Sequence, residues 1–247
     1  MTRSGGELGK ADMHLHTLYS DGTASVQAVL DHVERATDLD LIAITDHERI
    51  DGALRAREIH AAGSYSFELV VGEEITTRRG HLLALFIGER IPALRPLAET
   101  LERIHDHGGI AIAPHPMALL APSLGTRSLL WSRGATDPRH RLDAIELMNP
   151  STAGRSRRVA RDRLNAEILH LAAVGNSDAH VIEGIGSAWT WFPGGTAAAY
   201  RAAIASGATR PDGQYWSHLH NVGVYRRQLR AKIRHLRHTL RPTGEWR

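Results

Sequence analysis

Cysteine is absent from the 247-residue sequence, and several kinds of site are excluded with it. Without thiols the chain cannot form disulfides, zinc–cysteine sites, iron–sulfur clusters or a cysteine nucleophile. Any metal ion must therefore bind through His, Asp or Glu side chains. Aromatic residues make up only 5% of the chain, so we expect the hydrophobic core to consist mainly of Leu, Ile, Val and Ala.

Long hydrophobic runs are also missing. None approaches the roughly 20 apolar residues of a membrane-spanning helix, and the first ten residues, MTRSGGELGK, lack the apolar stretch of a signal peptide. We therefore expect a cytoplasmic protein without a transmembrane segment.

Positive charge is concentrated near the carboxyl end of the sequence. The chain carries a formal net charge of +3, but residues 225–247 hold eight Arg or Lys residues against one Glu. Leu229, Ile233, Leu236 and Leu240 follow helical spacing there, which predicts a basic amphipathic helix. Such a helix could pack against the rest of the chain or a second subunit, or could contact nucleic acid or an anionic membrane. We expect a flexible lead (1–10), one main domain (11–209) and a basic extension (210–247); the oligomeric state is not indicated.

Short apolar runs alternate with helix-like stretches along the main domain. This alternation predicts an α/β fold with a parallel sheet, and polar residues at the strand ends favour a barrel with one active face. The predicted strands are 11–15, 39–45, 67–72, 82–87, 110–113, 142–147 and 171–174, with a hairpin-like pair across residues 76–80; the predicted helices are 49–62, 155–171 and 196–204, and 121–138 is predicted to be a long loop.

Histidine is unusually frequent, with 16 copies. His14 and His16 lie two residues apart, so an extended strand would present both imidazoles on the same face. Asp21 follows in a Ser-Asp-Gly turn that can direct its carboxylate back toward the strand end. One His-x-His pair is weak evidence, because such pairs arise by chance in a chain so rich in histidine.

Further ionisable residues stand at or beside the ends of the other apolar runs. Burying so many of these groups together would be costly without cations to neutralise them, so the pattern predicts a metal centre. Several of these residues also have a structural alternative: a helix cap for Asp46 and His47, a solvated turn for Glu73, and a packed imidazole for His115. Asp46 could instead orient an imidazole. The residues in question are Asp46, His47, Glu73, His81, His115, Asp178 and His180.

In this order the residues resemble the PHP family, named for polymerases and histidinol phosphatases. The resemblance covers about residues 11–190, and its first and last stretches are specific to the family. The matching stretches are DMHLHTLYSDG (12–22), LIAITDH (41–47), VGEEI (71–75), the His of GHLLAL (80–85), AIAPHP (111–116) and GNSDAH (175–180).

The resemblance implies a distorted (β/α)₇ TIM-like barrel that binds two or three divalent metal ions. His14, His16, Glu73 and Asp178 would hold one ion; Glu73, His81 and His115 a second; and Asp21, His47 and His180 a third. Glu73, Asp178 and His180 would be the catalytic residues. Mixed imidazole and carboxylate ligands suit Zn²⁺, Mn²⁺ or Fe²⁺, and adjacent cations would yield a hydroxide that attacks a phosphate ester.

A phosphate ester also needs a cationic partner, and Arg155, Arg157 and Arg158 follow the strand predicted at 142–147. Arg155 and Arg158 are our candidate substrate-binding residues, although an ordinary charged helix face explains them equally well. His105 and His107 are expected not to be ligands.

The function we expect is hydrolysis of a small phosphomonoester, such as a nucleotide, histidinol phosphate or a sugar phosphate. The alternatives are a nuclease assisted by the basic extension, a non-catalytic metal-stabilised module, and a hydrolase of a non-phosphate bond.

Overall fold

Nine strands form one mixed sheet in the computed structural model, which describes residues 8–216 and residue 223. Along the sheet the strands follow the order β7-β6-β5-β4-β3-β2-β1-β8-β9. They are β1 (Leu8–Leu15), β2 (Leu41–Ile44), β3 (Glu68–Thr77), β4 (Gly80–Leu85), β5 (Ile110–Ala113), β6 (Ala144–Met148), β7 (Ala172–Gly175), β8 (Ala188–Pro193) and β9 (Arg210–Gly213).

The predicted α/β class is confirmed, but the count of seven strands is wrong. Strands β1, β2 and β3 pair in parallel with one another, as do β5, β6 and β7, while all pairs that involve β4, β8 or β9 are antiparallel. The predicted hairpin is present as β3–β4, where two residues join the strands. Strands β8 and β9 were not predicted, and they extend the sheet beyond β1.

The two ends of the sheet come close together. Thr190 of β8 accepts a hydrogen bond from the backbone N–H of Gly175 in β7 (3.0 Å) and donates one to its carbonyl (2.9 Å). A side chain at Gly175 would collide with the carbonyl of Trp189, so glycine permits this approach. The sheet is therefore a nearly closed barrel.

The core has two layers because the strands are buried on both faces. Inside the barrel, Met13, Val70, Leu83 and Ile112 belong to one apolar cluster. On the other face, strand side chains pack in a second cluster with the helices. Aliphatic residues fill both layers, as the low aromatic content predicts.

Seven helices lie among the described residues: α1 (Val26–Ala36), α2 (Asp51–Ala62), α3 (Leu97–Asp106), α4 (Thr126–Arg133), α5 (Thr152–Arg155), α6 (Arg158–Leu164) and α7 (Ala197–Ser206). The helix predicted over 155–171 is present over residues 158–169, as α6 and a π-helical turn (Asn165–Leu169) that continues it. Its first residue belongs to α5 instead, because the chain breaks at Ser156–Arg157, where Arg157 has φ +52°. The predicted loop 121–138 contains α4, which lacks clean apolar periodicity. Within the described range, none of these helices combines the length and apolarity needed to cross a bilayer.

Two predicted boundaries fall inside the sheet. Residues 8–10 of the predicted lead belong to β1, and residues 210–213 of the predicted extension form β9. The basic helix predicted over 225–241 lies outside the described residues.

His105 attaches α3 to the segment that precedes β6. Its Nδ1 lies 2.8 Å from the carbonyl oxygen of Arg139, and its Nε2 lies 2.9 Å from Asp143. Both partners are acceptors, so the doubly protonated ring satisfies both contacts. The hydrogen bond to Asp143 is the main reason that the pKa of His105 is raised above 6.5. The expectation that His105 is not a ligand agrees with these contacts.

We expect this imidazolium to make stability depend on pH. Because the pKa is higher in the folded state, its contribution is complete below the ordinary value of 6.5 and is lost as pH rises through the raised value. The free energy of unfolding should fall by about 1 kcal/mol more in the wild type than in His105→Gln over this window. Urea unfolding of both proteins between pH 5.5 and 9 measures the difference; parallel curves would contradict the charged ring.

Candidate metal centre

The carboxyl end of β1 brings the first two predicted ligands into the barrel. The pairing of β1 with β2 shifts register between Asp12 and Leu15. Met13 belongs to the interior cluster, whereas Leu15 faces the helices, so the shift turns His14 and His16 inward. Both imidazoles are buried. The side-chain oxygen of Asn176 accepts the N–H of Met13 at 2.9 Å and supports the irregular strand.

Asp46 holds the loop that carries Asp21. Its carboxylate accepts hydrogen bonds from the Thr17 N–H (2.7 Å), the Thr17 hydroxyl (2.7 Å) and the Ser20 hydroxyl (2.6 Å). The suggestion that Asp46 orients an imidazole is therefore wrong. Gly22 is required for the same loop because a Cβ there would lie 2.4 Å from the carbonyl oxygen of His16.

Glu74, rather than Glu73, enters the cluster, which corrects the predicted ligand set by one residue. Neighbouring side chains in β3 alternate between the two faces. Val70 lies in the interior cluster and Val71 in the helix-side cluster, which places Glu74 inside and Glu73 outside. The Glu73 carboxylate accepts the Ile91 N–H at 3.0 Å, and burial raises its pKa to about 7.

Five imidazoles surround the Glu74 carboxylate. One oxygen, Oε2, approaches three ring nitrogens, and the other, Oε1, approaches two. The distances are 3.1 Å to His14 Nε2, 3.3 Å to His16 Nε2 and 3.3 Å to His47 Nδ1 from Oε2, and 2.8 Å to His81 Nδ1 and 3.2 Å to His115 Nε2 from Oε1.

Asp178 and Asp21 complete the cluster on either side of His16. Asp178 Oδ1 lies 3.4 Å from His14 Nε2 and 3.3 Å from His16 Nε2. Asp21 Oδ1 lies 3.1 Å from His180 Nε2. The side chains form three overlapping groups that could each hold an ion: His16, Asp21, His47 and His180; His14, His16, Glu74 and Asp178; and His47, Glu74 and His81.

Two of these residues have strained backbones. His115 has φ +29° and Asp178 has φ +52°, in the left-handed region that side chains other than glycine rarely adopt. Such strain persists where the surrounding contacts enforce it and is common at functional sites.

The arrangement fits divalent cations better than a network of hydrogen bonds. Ligands about 2.1 Å from an ion lie roughly 3.0–3.4 Å from one another, which is the spacing of most of these atoms. Both ring nitrogens of His16 are buried without a well-aligned hydrogen bond to any described residue, although Nε2 lies 3.3 Å from each of the Glu74 and Asp178 carboxylates. Unsatisfied buried nitrogens beside carboxylates are what an ion placed between them would satisfy.

The protonation states of the cluster residues also favour bound cations. Burial opposes ionisation of Glu74 and Asp178, but the surrounding histidines outweigh it and hold both pKa values below their usual range. Burial lowers the pKa of His47 to about 3; at His16 the Asp178 and Glu74 carboxylates outweigh burial and raise the pKa to about 10. Cations can replace the imidazole protons that face these ionised carboxylates, because metal and proton compete for the same ring nitrogens.

Glu146, which the sequence analysis missed, connects several of these residues beneath the cluster. It is fully buried, and Oε1 lies 3.3 Å from His14 Nδ1. Its other contacts are the His115 N–H (2.7 Å) and the side-chain amides of Asn149 (2.9 Å) and Asn176 (2.9 Å). In the sequence, Glu146 is a charged residue within the predicted strand LDAIEL (142–147), and this was the signal that could have revealed it.

The cluster opens into a cleft of about 860 Å³ lined by Tyr19, Ser20, Asp21, His47, Glu48, Arg49, Asp51, Thr76, His81, Arg90 and Pro122. Arg49 and Arg90 are the cationic residues of this lining. Arg155 and Arg158 line a different cleft, where they lie over the ring of Tyr215 at 5.0 and 5.7 Å. The structure therefore does not bring these two arginines to the metal cluster.

The sequence is similar to a family model and to known proteins. A family model described as PHP-associated matches residues 156–209. An uncharacterized protein of Methanocaldococcus jannaschii is 35% identical over 129 residues, which are 48% of this chain and 74% of that protein. The phosphoribosyl 1,2-cyclic phosphate 1,2-diphosphodiesterase of Eggerthella lenta is 32% identical over 101 residues, which are 38% of this chain and 37% of that enzyme.

The fold also has a relative among solved structures. A two-domain protein of Bacteroides vulgatus, described as containing a predicted PHP-like metal-dependent phosphoesterase, has a TM-score of 0.68 over 87% of this chain and 67% of its own, at 18% identity. This last likeness concerns the fold alone. Together with the sequence matches and the ordered histidines and carboxylates, it leads to one conclusion: the chain belongs to the PHP family.

Proposed function

We propose that this protein is a metal-dependent phosphoesterase that hydrolyses a small phosphomonoester, such as a nucleotide, histidinol phosphate or a sugar phosphate. The observation that carries the proposal is the Glu74 carboxylate, which approaches five imidazoles at 2.8–3.3 Å. Glu74 belongs to two of the candidate ion-binding groups, so it would help to hold more than one ion. The Eggerthella lenta relative is named as a diphosphodiesterase of a cyclic phosphate, which supports hydrolysis of a phosphate ester in general.

The ligands we assign are His14, His16, Asp21, His47, Glu74, His81, His115, Asp178 and His180, with Glu74 in the place first given to Glu73. This set of nitrogen and oxygen donors suits Zn²⁺, Mn²⁺ or Fe²⁺, in two or three sites. When bound, such ions supply a hydroxide near neutral pH and polarise the phosphoryl oxygens.

Within the chain, Asp178 and His180 are proposed to act beside Glu74 at the reacting phosphate. Asp178 lies between two groups, since its Oδ1 is 3.3 Å from His16 Nε2 and 3.5 Å from His180 Nδ1. His180 reaches Asp21 with its other nitrogen. Their fixed positions would hold the ester and the attacking oxygen in one orientation, which lowers the entropic part of the barrier.

Substrate selection is assigned to the cleft above the cluster. Its volume of about 860 Å³ suits a small ligand. The Arg90 Nε donates to the Glu48 carbonyl at 2.6 Å and the Arg49 Nε to Asp51 at 3.0 Å, so both arginines are held at the rim and can still direct further donors to a phosphate. Arg155 and Arg158 remain candidates for a more distant part of the substrate. The nuclease alternative depended on residues 225–247, which lie outside the described residues.

Phosphate release by the purified full chain loaded with Mn²⁺, Zn²⁺ or Fe²⁺ tests the proposal. The panel contains mononucleotides, 3′,5′-bisphosphonucleotides, histidinol phosphate, sugar phosphates and short oligonucleotides. We expect turnover to be abolished by chelation and restored by added metal. The Asp178→Ala variant should show no turnover, although its circular dichroism spectrum is unchanged. The absence of release from every compound by protein with measured bound metal would overturn the proposal in favour of a non-phosphate hydrolase or a non-catalytic module.

A further inference from the structure

A second cleft, of about 580 Å³, lies on the other side of the β3–β4 turn. Its lining combines three arginines with an apolar wall and contains no carboxylate. The lining residues are Arg78, Arg79, Pro96, Leu97, Ala98, Arg127, Ser128 and Trp131. Within residues 8–216, none of the three guanidinium groups forms an ion pair. Three cations that face one concave surface without counter-charge create a positive potential that attracts a multivalent anion.

The two arginines of the turn are held in place by their backbone. The Thr77 hydroxyl donates to the Gly80 carbonyl (2.7 Å) and accepts the Arg79 N–H (3.0 Å). The Arg78 N–H donates to the Arg95 carbonyl at 3.0 Å. Gly80 adopts φ +132°, and a Cβ there would collide with Ser123. The turn is therefore packed against the neighbouring segment, and the Arg78 Nε donates to the Leu94 carbonyl at 3.0 Å. A ligand would therefore not have to order a free loop.

Trp131 lies in the wall of the cleft, and its ring is 5.7 Å from the His140 ring and inclined to it by 31°. It is 44% exposed, although an indole ring normally gains free energy by burial. Pro96 and Leu97 lie in the same wall. Helices α3 and α4 both begin at this cleft, so their dipoles add to the positive potential of the arginines. A phosphate group joined to a planar aromatic ring matches both parts of the lining, since arginine binds phosphate through paired donors and indole stacks on bases.

We propose that this cleft is a nucleotide-binding site, in which Arg78, Arg79 and Arg127 bind the phosphate and Trp131 stacks on the base. It is separate from the metal centre, because no residue is shared between the linings of the two clefts. They lie on opposite sides of one turn: Thr76 and His81 face the metal cleft, and Arg78 and Arg79 face the second. The ligand is either a free mononucleotide or one unit of a single-stranded oligonucleotide.

Titration calorimetry on the full, metal-loaded chain tests the site with AMP, ribose 5-phosphate, inorganic phosphate and a single-stranded hexanucleotide. The titrations are repeated in Glu74→Gln, so that binding at the metal centre, and any failure of the proposed esterase activity, is measured separately. We expect AMP to bind in both backgrounds at least about tenfold more tightly than ribose 5-phosphate, since only AMP carries a base that can stack on the indole. A hexanucleotide that binds more than tenfold more tightly than AMP identifies a nucleic-acid strand; equal affinity identifies a mononucleotide.

The variants Arg79→Gln/Arg127→Gln and Trp131→Leu should each weaken AMP binding at least tenfold. Arg133→Gln is the matched control, because it removes an exposed arginine of α4 that does not line the cleft. Thermal melting verifies that all variants fold, as the substituted side chains are exposed. Equal affinities for AMP, ribose 5-phosphate and phosphate, or equal effects of the cleft and control variants, would overturn the nucleotide site.

Discussion

Glu74→Gln should abolish metal-dependent phosphate release, whereas Glu73→Gln should retain it. The Glu74 oxygens approach five ring nitrogens. The glutamine amide keeps one of these oxygens, but its NH₂ group replaces the other and directs N–H donors at the imidazoles on that side. Two adjacent ions would lose a shared anionic ligand, and with it several kcal/mol of transition-state stabilisation. A decrease in kcat/KM of at least about 10³-fold follows. Bound metal, measured by elemental analysis, should fall in parallel.

Glu73→Gln is the matched control because the adjacent residue undergoes the same chemical change. A glutamine at position 73 can still accept the Ile91 N–H with its side-chain oxygen, and it removes a carboxylate whose pKa burial has raised to about 7. We expect kcat/KM within about threefold of the wild type and unchanged metal content, since the side chain points away from the cluster. The reverse pattern, with activity lost in Glu73→Gln and kept in Glu74→Gln, would restore the assignment made from the sequence.

The exchange of Glu73 for Glu74 illustrates what a sequence motif can predict. Spacing and order placed the acidic pair at the correct strand end, because polar residues after an apolar run are a local signal. Which of the two faces inward depends on strand parity, and alternation gives no answer when both faces of a strand are buried. Val70 and Val71 are both apolar, so only the three-dimensional contacts distinguish the interior from the helix side.

Some other parts of the fold follow from local signals in the sequence, whereas others depend on contacts between residues that are distant in the sequence. The hairpin β3–β4 follows from its short polar turn and was predicted. Strands β8 and β9 pair antiparallel at the far side of β1, and this placement depends on residues that are distant in the sequence. The α4 helix lies within a segment with scattered Pro, Gly and Ser, which local reasoning interprets as a loop. The metal cluster was predictable because most of its residues stand at or beside the ends of short apolar runs.

Glu146 is the residue whose role only the structure could reveal, and its substitution tests how the ligands are positioned. Four donors converge on its carboxylate: the His14 Nδ1, the His115 N–H and the side-chain amides of Asn149 and Asn176. Because Glu146 occupies Nδ1 of His14, the ring leaves Nε2 for an ion. Asn149 in turn reaches Asp178 Oδ2 at 3.3 Å, so one buried carboxylate supports ligands from three strands.

Glu146→Gln should weaken metal binding by about 10–100-fold, the usual effect of removing the outer partner of a ligating histidine. The glutamine amide cannot accept from all four donors, so at least one supporting contact must be lost. Chelator competition measures the affinity, and the visible spectrum of the Co²⁺-loaded protein reports the ligand geometry, which a change confined to stability would not alter. Glu146→Asp, which keeps the charge, should recover part of the affinity, and Glu73→Gln supplies the control for a buried carboxylate outside the cluster. A Glu146→Gln protein that melts at a lower temperature but binds metal with wild-type affinity and an unchanged Co²⁺ spectrum would assign Glu146 to the barrel core instead of the metal centre.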